Sequence, residues 1–196
     1  MAHEAGEPSA WVRRFAPLIR SGGRVLDLAC GSGRHALFLA DLGHRVVALD
    51  RDAVALARIG EAAVQMRRGG ASFSVEIDTM QADVESGSWP FGKDEFDAVV
   101  VTNYLHRPLM PRLAASLRPG GVLIYETFGL GNERHGRPAN PAFLLAKDEL
   151  LECFRPGLTV IAFEQGLVQA PAIAVVQRLC AVKAADFAST PLPKGT

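Results

Sequence analysis

The stretch Val25-Leu-Asp-Leu-Ala-Cys-Gly-Ser-Gly-Arg-His35 decides the fold of this chain. Its first half belongs to a short apolar run, residues 24–29, which is bounded by Gly22–Gly23 and Gly31 and predicts a buried strand. The run leads through Gly31 and Gly33 straight into a segment with helical spacing. Glycine permits a tight turn and lets a ligand approach the backbone, and a helix N-terminus offers free N–H groups. The stretch therefore predicts a ligand-binding loop at the carboxyl end of a strand.

Strands and helices alternate along the rest of the chain. Strands are predicted at 24–29, 45–50, within 73–82, at 96–102, 122–128, 158–164 and 172–182, and helices at 8–19, 34–42, 53–68, over about a dozen residues ending near 117, and at 147–154. Alternation implies parallel strands joined by right-handed crossovers, whereas the last two strands leave no room for a crossover helix and must be antiparallel. We therefore expect an α/β, doubly wound, Rossmann-like seven-stranded sheet, mostly parallel with an antiparallel C-terminal hairpin, and helices on both faces. Residues 1–184 are expected to form this domain and residues 185–196 a flexible tail.

The composition narrows the class of protein. Of the 196 residues, 48% are hydrophobic and 21% charged, which is typical of a globular domain. Twenty-one basic residues balance twenty-one acidic ones, which argues against a dedicated nucleic-acid binder. Three cysteines without metal-ligand spacing exclude a disulfide scaffold or a zinc module, and we expect no metal. The sequence has neither a membrane-length apolar run nor a signal-peptide layout, so we expect a cytoplasmic protein.

Three carboxylates end consecutive predicted strands. Gly31-x-Gly33-x-x-Ala36 fits a loose dinucleotide pattern, but Asp27 inside the first strand would repel a pyrophosphate and favour an ammonium group. Asp50 ends the second strand, the usual place for an acid that binds ribose hydroxyls, and Asp83 follows the third, where it can accept from an adenine amino group. The three acids favour a nucleoside with a zwitterionic amino-acid tail over a dinucleotide.

With these motifs, the sequence resembles the class I S-adenosylmethionine-dependent methyltransferases over roughly residues 10–182. VLDLACGSGRHALFLADLGHRVVALD resembles the first two motifs of that family, QADVE the third, FDAVVVTNYL the fourth and LRPGGVLIYETF the fifth. Ala29 stands where the family pattern has its first glycine. The resemblance implies S-adenosylmethionine as cofactor and a seven-stranded sheet whose last strand inserts antiparallel.

The resemblance also implies which residues hold the cofactor. Asp27 would hold the methionine amino group, Asp50 the ribose diol and Asp83 the adenine amino group. Either Arg34 or His35 would neutralise the methionine carboxylate. The remaining implied contacts are Ala29, Gly31, Gly33, Arg51, Ala82, Val84, Thr102 and Asn103.

Candidate catalytic residues lie beyond the fourth and fifth strands. Tyr104 and His106 follow the fourth strand, with packing at the start of the next helix as the alternative role of His106. His135 lies in the polar loop 129–141, whose length suggests a substrate loop, although a surface excursion is the open alternative. The closest likeness within the family is to its tellurite-resistance-like, small-molecule branch. In that branch a basic residue of the last strand contacts the substrate, and Arg178 matches it.

The sequence thus predicts an enzyme that transfers a methyl group to an unidentified small-molecule acceptor, without nucleic acid or membrane as partner. One alternative is an RNA or protein methyltransferase, which would show a basic patch formed by Arg107, Arg112, Arg134 and Arg137 near the site. Another is a non-catalytic cofactor-binding module with a closed acceptor site. The acceptor, its attacked atom, the general base and the oligomeric state stay open.

Overall fold

The computed structural model describes residues 6–68, 76–184, 186, 188 and 190–193. Its strands are β1 (Arg24–Leu28), β2 (Arg45–Asp50), β3 (Glu76–Gln81), β4 (Phe96–Thr102), β5 (Leu117–Phe128), β6 (Leu158–Val168) and β7 (Ala174–Lys183). They form one sheet in the order β3-β2-β1-β4-β5-β7-β6. The first five strands pair in parallel, and β7 pairs antiparallel with both β5 and β6. The predicted doubly wound sheet with an antiparallel C-terminal hairpin is confirmed.

The strand order reverses between β1 and β4, which are neighbours in the sheet but not in the sequence. In open α/β sheets, ligands bind in the crevice beyond the carboxyl ends of the strands at such a reversal. The loop that begins at Ala29 follows β1, and Asn103 follows β4. The topology therefore brings the glycine loop and the segment after the fourth strand to the same crevice.

Helices cover both faces of the sheet: α1 (Ala10–Phe15), α2 (Arg34–Asp41), α3 (Ala53–Arg68), α4 (Met110–Ser116) and α5 (Glu149–Phe154). Apolar residues of α1, α2 and α3 pack with alternate side chains of β1, β2, β4 and β5 in one buried cluster. The opposite side chains of these strands pack with α4 and α5 in a second cluster. Within the described part of the chain, no helix is both long enough and apolar enough to cross a membrane.

Several element boundaries differ from those predicted. The first helix begins at Ala10 because the Ser9 side chain caps it, accepting a hydrogen bond from the Trp11 N–H group at 3.1 Å. The helix after β4 is short because a 3₁₀ turn over Arg107–Leu109 takes up the residues before it, and Pro111 is tolerated in its first turn, where an N–H group has no partner within the helix. Strand β5 begins at Leu117 rather than at 122 since Leu117 already pairs with Phe96.

The C-terminal hairpin is longer on its first arm than predicted, because β6 continues to Val168. The predicted turn near 169–171 does connect it to β7. The predicted start of the third strand at 73–75 and the glycine pair at 69–70 lie outside the described residues. So do residues 185, 187, 189 and 194–196, and the flexible tail stays a prediction.

Candidate active site

The glycine loop between β1 and α2 has three residues with positive φ: Ala29 at +52°, Gly31 at +52° and Gly33 at +79°. A Cβ atom added at Gly31 would meet no heavy atom within 4 Å, so the space above this residue is open. A Cβ atom added at Gly33 would lie 2.5 Å from Cγ1 of Ile59 in α3. Gly31 therefore leaves room for a ligand, whereas Gly33 is required for close packing of the loop against α3.

Asp50 ties this loop to the end of β2. Its Oδ2 atom accepts a hydrogen bond from the Gly31 N–H group at 2.8 Å, and its Oδ1 atom accepts one from Asp52 at 2.9 Å. The Asp50 carbonyl accepts from the Ala82 N–H group at 3.0 Å. The carboxylate is thus held in one orientation at the carboxyl edge of the sheet, with lone pairs left for hydroxyl donors.

Asp27 is a buried carboxyl group at the end of β1. Its Oδ2 atom has no hydrogen-bond partner in the described part of the chain. Burial raises its pKa to about 7, although a hydrogen bond from the Ala36 N–H group and the positive charge of Arg34 oppose this rise. An ammonium group placed against the free oxygen would relieve the burial penalty, so Asp27 fits the amino group of an amino-acid tail.

Asp83 has a structural role of its own. Its carboxylate accepts hydrogen bonds from the Ser86 hydroxyl at 2.8 Å and from the Glu85 N–H group at 3.0 Å, which order the turn after β3. The Ser86 hydrogen bond is the main reason that the pKa of Asp83 lies below its ordinary value. The group is exposed and ionised, and it can still accept from an adenine amino group.

A cavity of about 450 Å³ runs along this edge of the sheet. Eight of the predicted site residues line it: Ala29, Asp50, Arg51, Ala82, Asp83, Val84, Asn103 and Tyr104. The other lining residues are Leu28, Leu49, Glu85, Leu105, Thr127, Pro138 and Phe143. The predicted residues outside this lining are Asp27, Gly31, Gly33, Arg34, His35, Thr102, His106, His135 and Arg178. The cavity thus joins the acids of the proposed cofactor site to a wall formed by the loop after β5.

His35 lies in the first turn of α2, but it is buried and neutral. Its Nε2 atom accepts a hydrogen bond from the Ser9 N–H group at 3.1 Å, so Nδ1 carries the proton and donates to Oγ1 of Thr102 at 3.2 Å. Burial lowers the pKa of His35 to about 3. The expectation that His35 could neutralise a carboxylate is therefore wrong, and Arg34 is left as the cation at this point.

Arg178 lies directly across the β5–β7 pair from Glu126 and forms an ion pair with it. Its guanidinium also lies 3.6 Å from Glu164, and the Ser9 hydroxyl donates to Glu126 at 2.8 Å. Arg178 is therefore engaged at the side of the sheet next to α1. Its predicted contact with a substrate stays a prediction.

The loop between β5 and α5 is fixed by two side chains. Arg107 donates to both carboxylate oxygens of Glu149 and to the carbonyls of Ala142, at 2.8 Å, and Leu144, at 2.9 Å. The buried Asn132 donates to the Pro138 carbonyl at 3.2 Å and accepts from the N–H group of Val175 in β7 at 3.1 Å. These contacts hold the loop residues of the cavity wall in place.

The remaining candidate catalytic residues differ in their surroundings. Tyr104 lines the cavity, and its buried hydroxyl lies near the carboxylate of Glu85. Burial, and secondarily the nearby charge of Glu85, raise the pKa of Tyr104 well above its ordinary value, so its phenol stays protonated. His106 is half-buried before the 3₁₀ turn, and His135 is exposed in the loop. Their catalytic roles stay predictions.

Four residues that shape the site carried no role in the sequence interpretation: Ser9, Asn132, Pro138 and Phe143. The polar character of the loop did indicate a functional segment, but no local pattern distinguishes Asn132 as its internal anchor. Phe143 follows the predicted substrate loop, and an isolated aromatic residue after a proline gives no specific signal.

Comparison with known proteins agrees with this geometry. The family described as Methyltransferase domain matches residues 25–121, from β1 into β5. This match spans just under half of the chain, and it supports the class I S-adenosylmethionine-dependent methyltransferase and the cofactor S-adenosylmethionine that the sequence motifs predict.

Two curated relatives illustrate the likeness. The chain is 32% identical to an uncharacterised methyltransferase of Synechocystis over 114 residues, which is 53% of this chain and 46% of the relative. It is 32% identical to the demethylmenaquinone methyltransferase of Clavibacter sepedonicus over 120 residues, 59% of this chain and 44% of that protein. The chain thus matches less than half the length of each.

Among solved structures, TehB from Haemophilus influenzae superposes with a TM-score of 0.74 at 19% identity, covering 90% of this chain and 62% of that chain. This likeness shows a shared fold. At the level of the fold it agrees with the predicted tellurite-resistance-like branch.

Proposed function

We propose that this protein transfers the methyl group of S-adenosylmethionine to a small-molecule acceptor. The observation that supports the proposal best is the continuous cavity. Its lining contains Asp50 and Asp83, which fit the ribose and adenine of the cofactor, together with Pro138 and Phe143 from the loop after β5, where we place the acceptor. A module that only binds the cofactor would have this acceptor side closed.

The residues of the chain supply binding and orientation. Asp27 fits the amino group, Asp50 the ribose hydroxyls and Asp83 the adenine amino group. When bound, S-adenosylmethionine would supply an electrophilic methyl group to the acceptor. Pro138 and Phe143 border the proposed acceptor side, where the fixed wall would orient the acceptor toward the cofactor.

An RNA acceptor is less well supported. Of the four arginines of the candidate basic patch, Arg107 is fully engaged with the loop and Glu149. Arg134 lies 3.9 Å from Glu133, and the cavity itself has three acids against one arginine. A polyanion would therefore meet little positive charge at the mouth of the site.

Cofactor binding gives the first test. S-adenosylhomocysteine should raise the melting temperature of the protein and NADH should not. In calorimetry, Asp50→Ala should weaken binding of S-adenosylhomocysteine by about 1–3 kcal/mol, because it removes charge-assisted hydrogen bonds, while Asp41→Asn on the exposed end of α2 should leave the affinity unchanged. Stabilisation by NADH alone would overturn the assignment.

The acceptor class gives the second test. The protein is incubated with methyl-labelled cofactor and separate fractions of metabolites, tRNA and proteins, with Asp50→Ala as the inactive control. Label in the metabolite fraction supports the proposal. Label confined to tRNA or protein would replace the small-molecule acceptor with a macromolecule.

A further inference from the structure

Tyr104 and Glu85 meet across the cavity from strands that are not neighbours in the sheet. Glu85 follows β3, Tyr104 follows β4, and both line the cavity. Since β2 and β1 lie between them, β3 and β4 are about 14 Å apart at the usual spacing of roughly 4.8 Å between strands. The Tyr104 hydroxyl is nevertheless in side-chain hydrogen-bond contact with the Glu85 carboxylate. The segments after β3 and β4 therefore meet over the carboxyl ends of β1 and β2.

The Tyr104 member of this pair is held at three points. The Tyr125 hydroxyl donates to the Tyr104 carbonyl at 3.0 Å, which fixes the backbone. The Tyr104 ring packs against the apolar cluster on the α4 side of the sheet, and its hydroxyl contacts Glu85. The ring is thus a preorganised surface of the cavity, and little ordering is required when a ligand packs on it.

The Glu85 member is placed by the turn after β3. The Glu85 N–H group donates to the carboxylate of Asp83 at 3.0 Å, so the two acids share one ordered turn. The Glu85 side chain is exposed, in contrast to the buried hydroxyl that it contacts. Glu85 therefore orients the Tyr104 ring from the solvent side and connects it to the turn that carries Asp83.

The surroundings of the pair fit a purine base. Asp83 and Arg51 lie close enough to Tyr104 to act on its hydroxyl electrostatically, and Val84 and Leu105 add apolar lining next to the pair in the sequence. A purine has apolar faces and a polar edge, so it requires flat apolar surface against a face and hydrogen-bond partners along the edge. The Tyr104 ring supplies the first, and Asp83 can accept from an amino group on the edge.

The same surroundings disfavour Tyr104 as a general base. Burial, and secondarily the charge of Glu85, hold the pKa of its phenol well above the ordinary value, whereas a base must be able to give up its proton before it accepts another. The charged neighbours of its hydroxyl are Asp83, Glu85 and Arg51, which all follow β2 and β3. Tyr104 thus belongs with the residues that fit the nucleoside of the cofactor.

We propose that Tyr104 binds the cofactor rather than the acceptor: its ring packs against the adenine base, and Glu85 is a positioning residue that holds the ring through the hydroxyl. This inference rests on the proposed methyltransferase function and specifies the nucleoside end of the cofactor site. It gives Tyr104 a role different from the catalytic one that the sequence predicts.

NMR tests the contact directly, because the chain has 2 tyrosines and the other one, Tyr125, is only 1% exposed. The wild-type protein is deuterated except for its tyrosine rings and is saturated with S-adenosylhomocysteine. The adenine protons should show nuclear Overhauser effects to one tyrosine ring, and Tyr104→Phe with deuterated phenylalanine should remove them. Bound S-adenosylhomocysteine without such an effect would overturn the inference.

Calorimetry with S-adenosylhomocysteine separates the ring from the hydroxyl. Tyr104→Ala should weaken binding by about tenfold to a hundredfold, because base stacking is lost, and Tyr104→Phe by only about twofold to tenfold, because the ring remains. Glu85→Ala should match Tyr104→Phe, and the double variant should bind no more weakly than either, since both remove the same contact. Wild-type affinity of Tyr104→Ala would overturn the adenine contact, and additive losses would overturn the positioning role of Glu85.

Two further variants control for charge and for general effects on the fold. Glu85→Gln keeps an acceptor oxygen for the Tyr104 hydroxyl and should restore most of the affinity that Glu85→Ala loses. Glu61→Ala removes an exposed glutamate of α3 that does not line the cavity, so it should leave the affinity unchanged. Equal losses for Glu85→Gln and Glu85→Ala would contradict a role through the hydroxyl.

The failure of this inference is distinguishable from failure of the proposed function. If S-adenosylhomocysteine does not raise the melting temperature, the methyltransferase function is wrong and the inference is wrong with it. If it does, and its adenine protons show no contact with the Tyr104 ring, the function stands and the role assigned to Tyr104 is wrong.

Discussion

Replacing Asp27 with asparagine should stabilise the cofactor-free protein at alkaline pH and weaken its binding of cofactor. Asp27 is 1% exposed, and burial raises its pKa to about 7, from an ordinary value of 3.8. The folded protein therefore holds this proton more tightly than the unfolded chain does. The free energy of unfolding gains most from Asp27 below pH 3.8, and this contribution is lost as the pH rises through about 7.

The magnitude follows from the difference in pKa. At about pH 8, where Asp27 is ionised in both the folded and the unfolded state, a difference of three pKa units lowers the free energy of unfolding by about 4 kcal/mol relative to low pH. At about pH 5 this free energy is lowered by only about 1.5–2 kcal/mol. Asparagine removes the charge but leaves a buried amide donor unpaired, at a cost of about 1–3 kcal/mol at either pH. The difference in stability between Asp27→Asn and the wild type should therefore rise by about 2–3 kcal/mol from pH 5 to pH 8.

Urea unfolding of the cofactor-free proteins, followed by circular dichroism at both pH values, measures this change. Asp41→Asn is the matched control, because this aspartate is exposed at the end of α2 and its replacement should give the same difference at both pH values. In calorimetry, S-adenosylhomocysteine should bind Asp27→Asn about tenfold to a hundredfold more weakly. A stability difference independent of pH would refute the reasoning about burial, and unchanged affinity would refute the ammonium contact.

Three further predictions concern the loops around the cavity. Ala29→Gly should raise the free energy of unfolding by about 1 kcal/mol in urea titrations, because Ala29 has a φ of +52° that glycine adopts without strain; a loss of stability would contradict this. Gly33→Ala should destabilise the protein by about 1–3 kcal/mol more than Gly31→Ala, because only the former places a Cβ atom against α3, and equal losses would show that packing is not the reason. Arg107→Met should speed hydrogen exchange at residues 142–149 roughly tenfold, measured by mass spectrometry, with α3 as internal reference; unchanged exchange would show that the loop does not depend on this arginine.

The parts of the site that could be predicted are those in which local sequence and topology act together. A strand, two glycines and a helix in succession specify the loop after β1, and parallel strands bring their carboxyl ends to one edge. Asp50 and Asp83 could therefore be assigned to the same cavity from sequence alone, and the structure places both in its lining.

The parts that could not be predicted depend on side chains that meet from distant positions in the chain. Arg107 fixes the loop through Glu149, 42 residues away, and Asn132 does so through Val175, 43 residues away. His35 lies in a first helical turn, a position that is normally solvated. It is buried because Ser9, 26 residues earlier, lies over it. No local periodicity or motif predicts these long-range contacts, because they form only when the helices, strands and loops pack together.

The difference between local motifs and long-range contacts explains why the sequence predicts the cofactor but not the acceptor. Asp27, Asp50 and Asp83 all lie within residues 25–121, the part shared with other methyltransferase domains. Pro138 and Phe143, where we propose that the acceptor binds, lie outside that part. Domains that bind the same cofactor need similar acidic residues, which therefore follow a common sequence pattern. Domains with different acceptors need different residues around the acceptor. The identity of the proposed acceptor must therefore be argued from the chemistry of the wall at Pro138 and Phe143 rather than from the shared motifs.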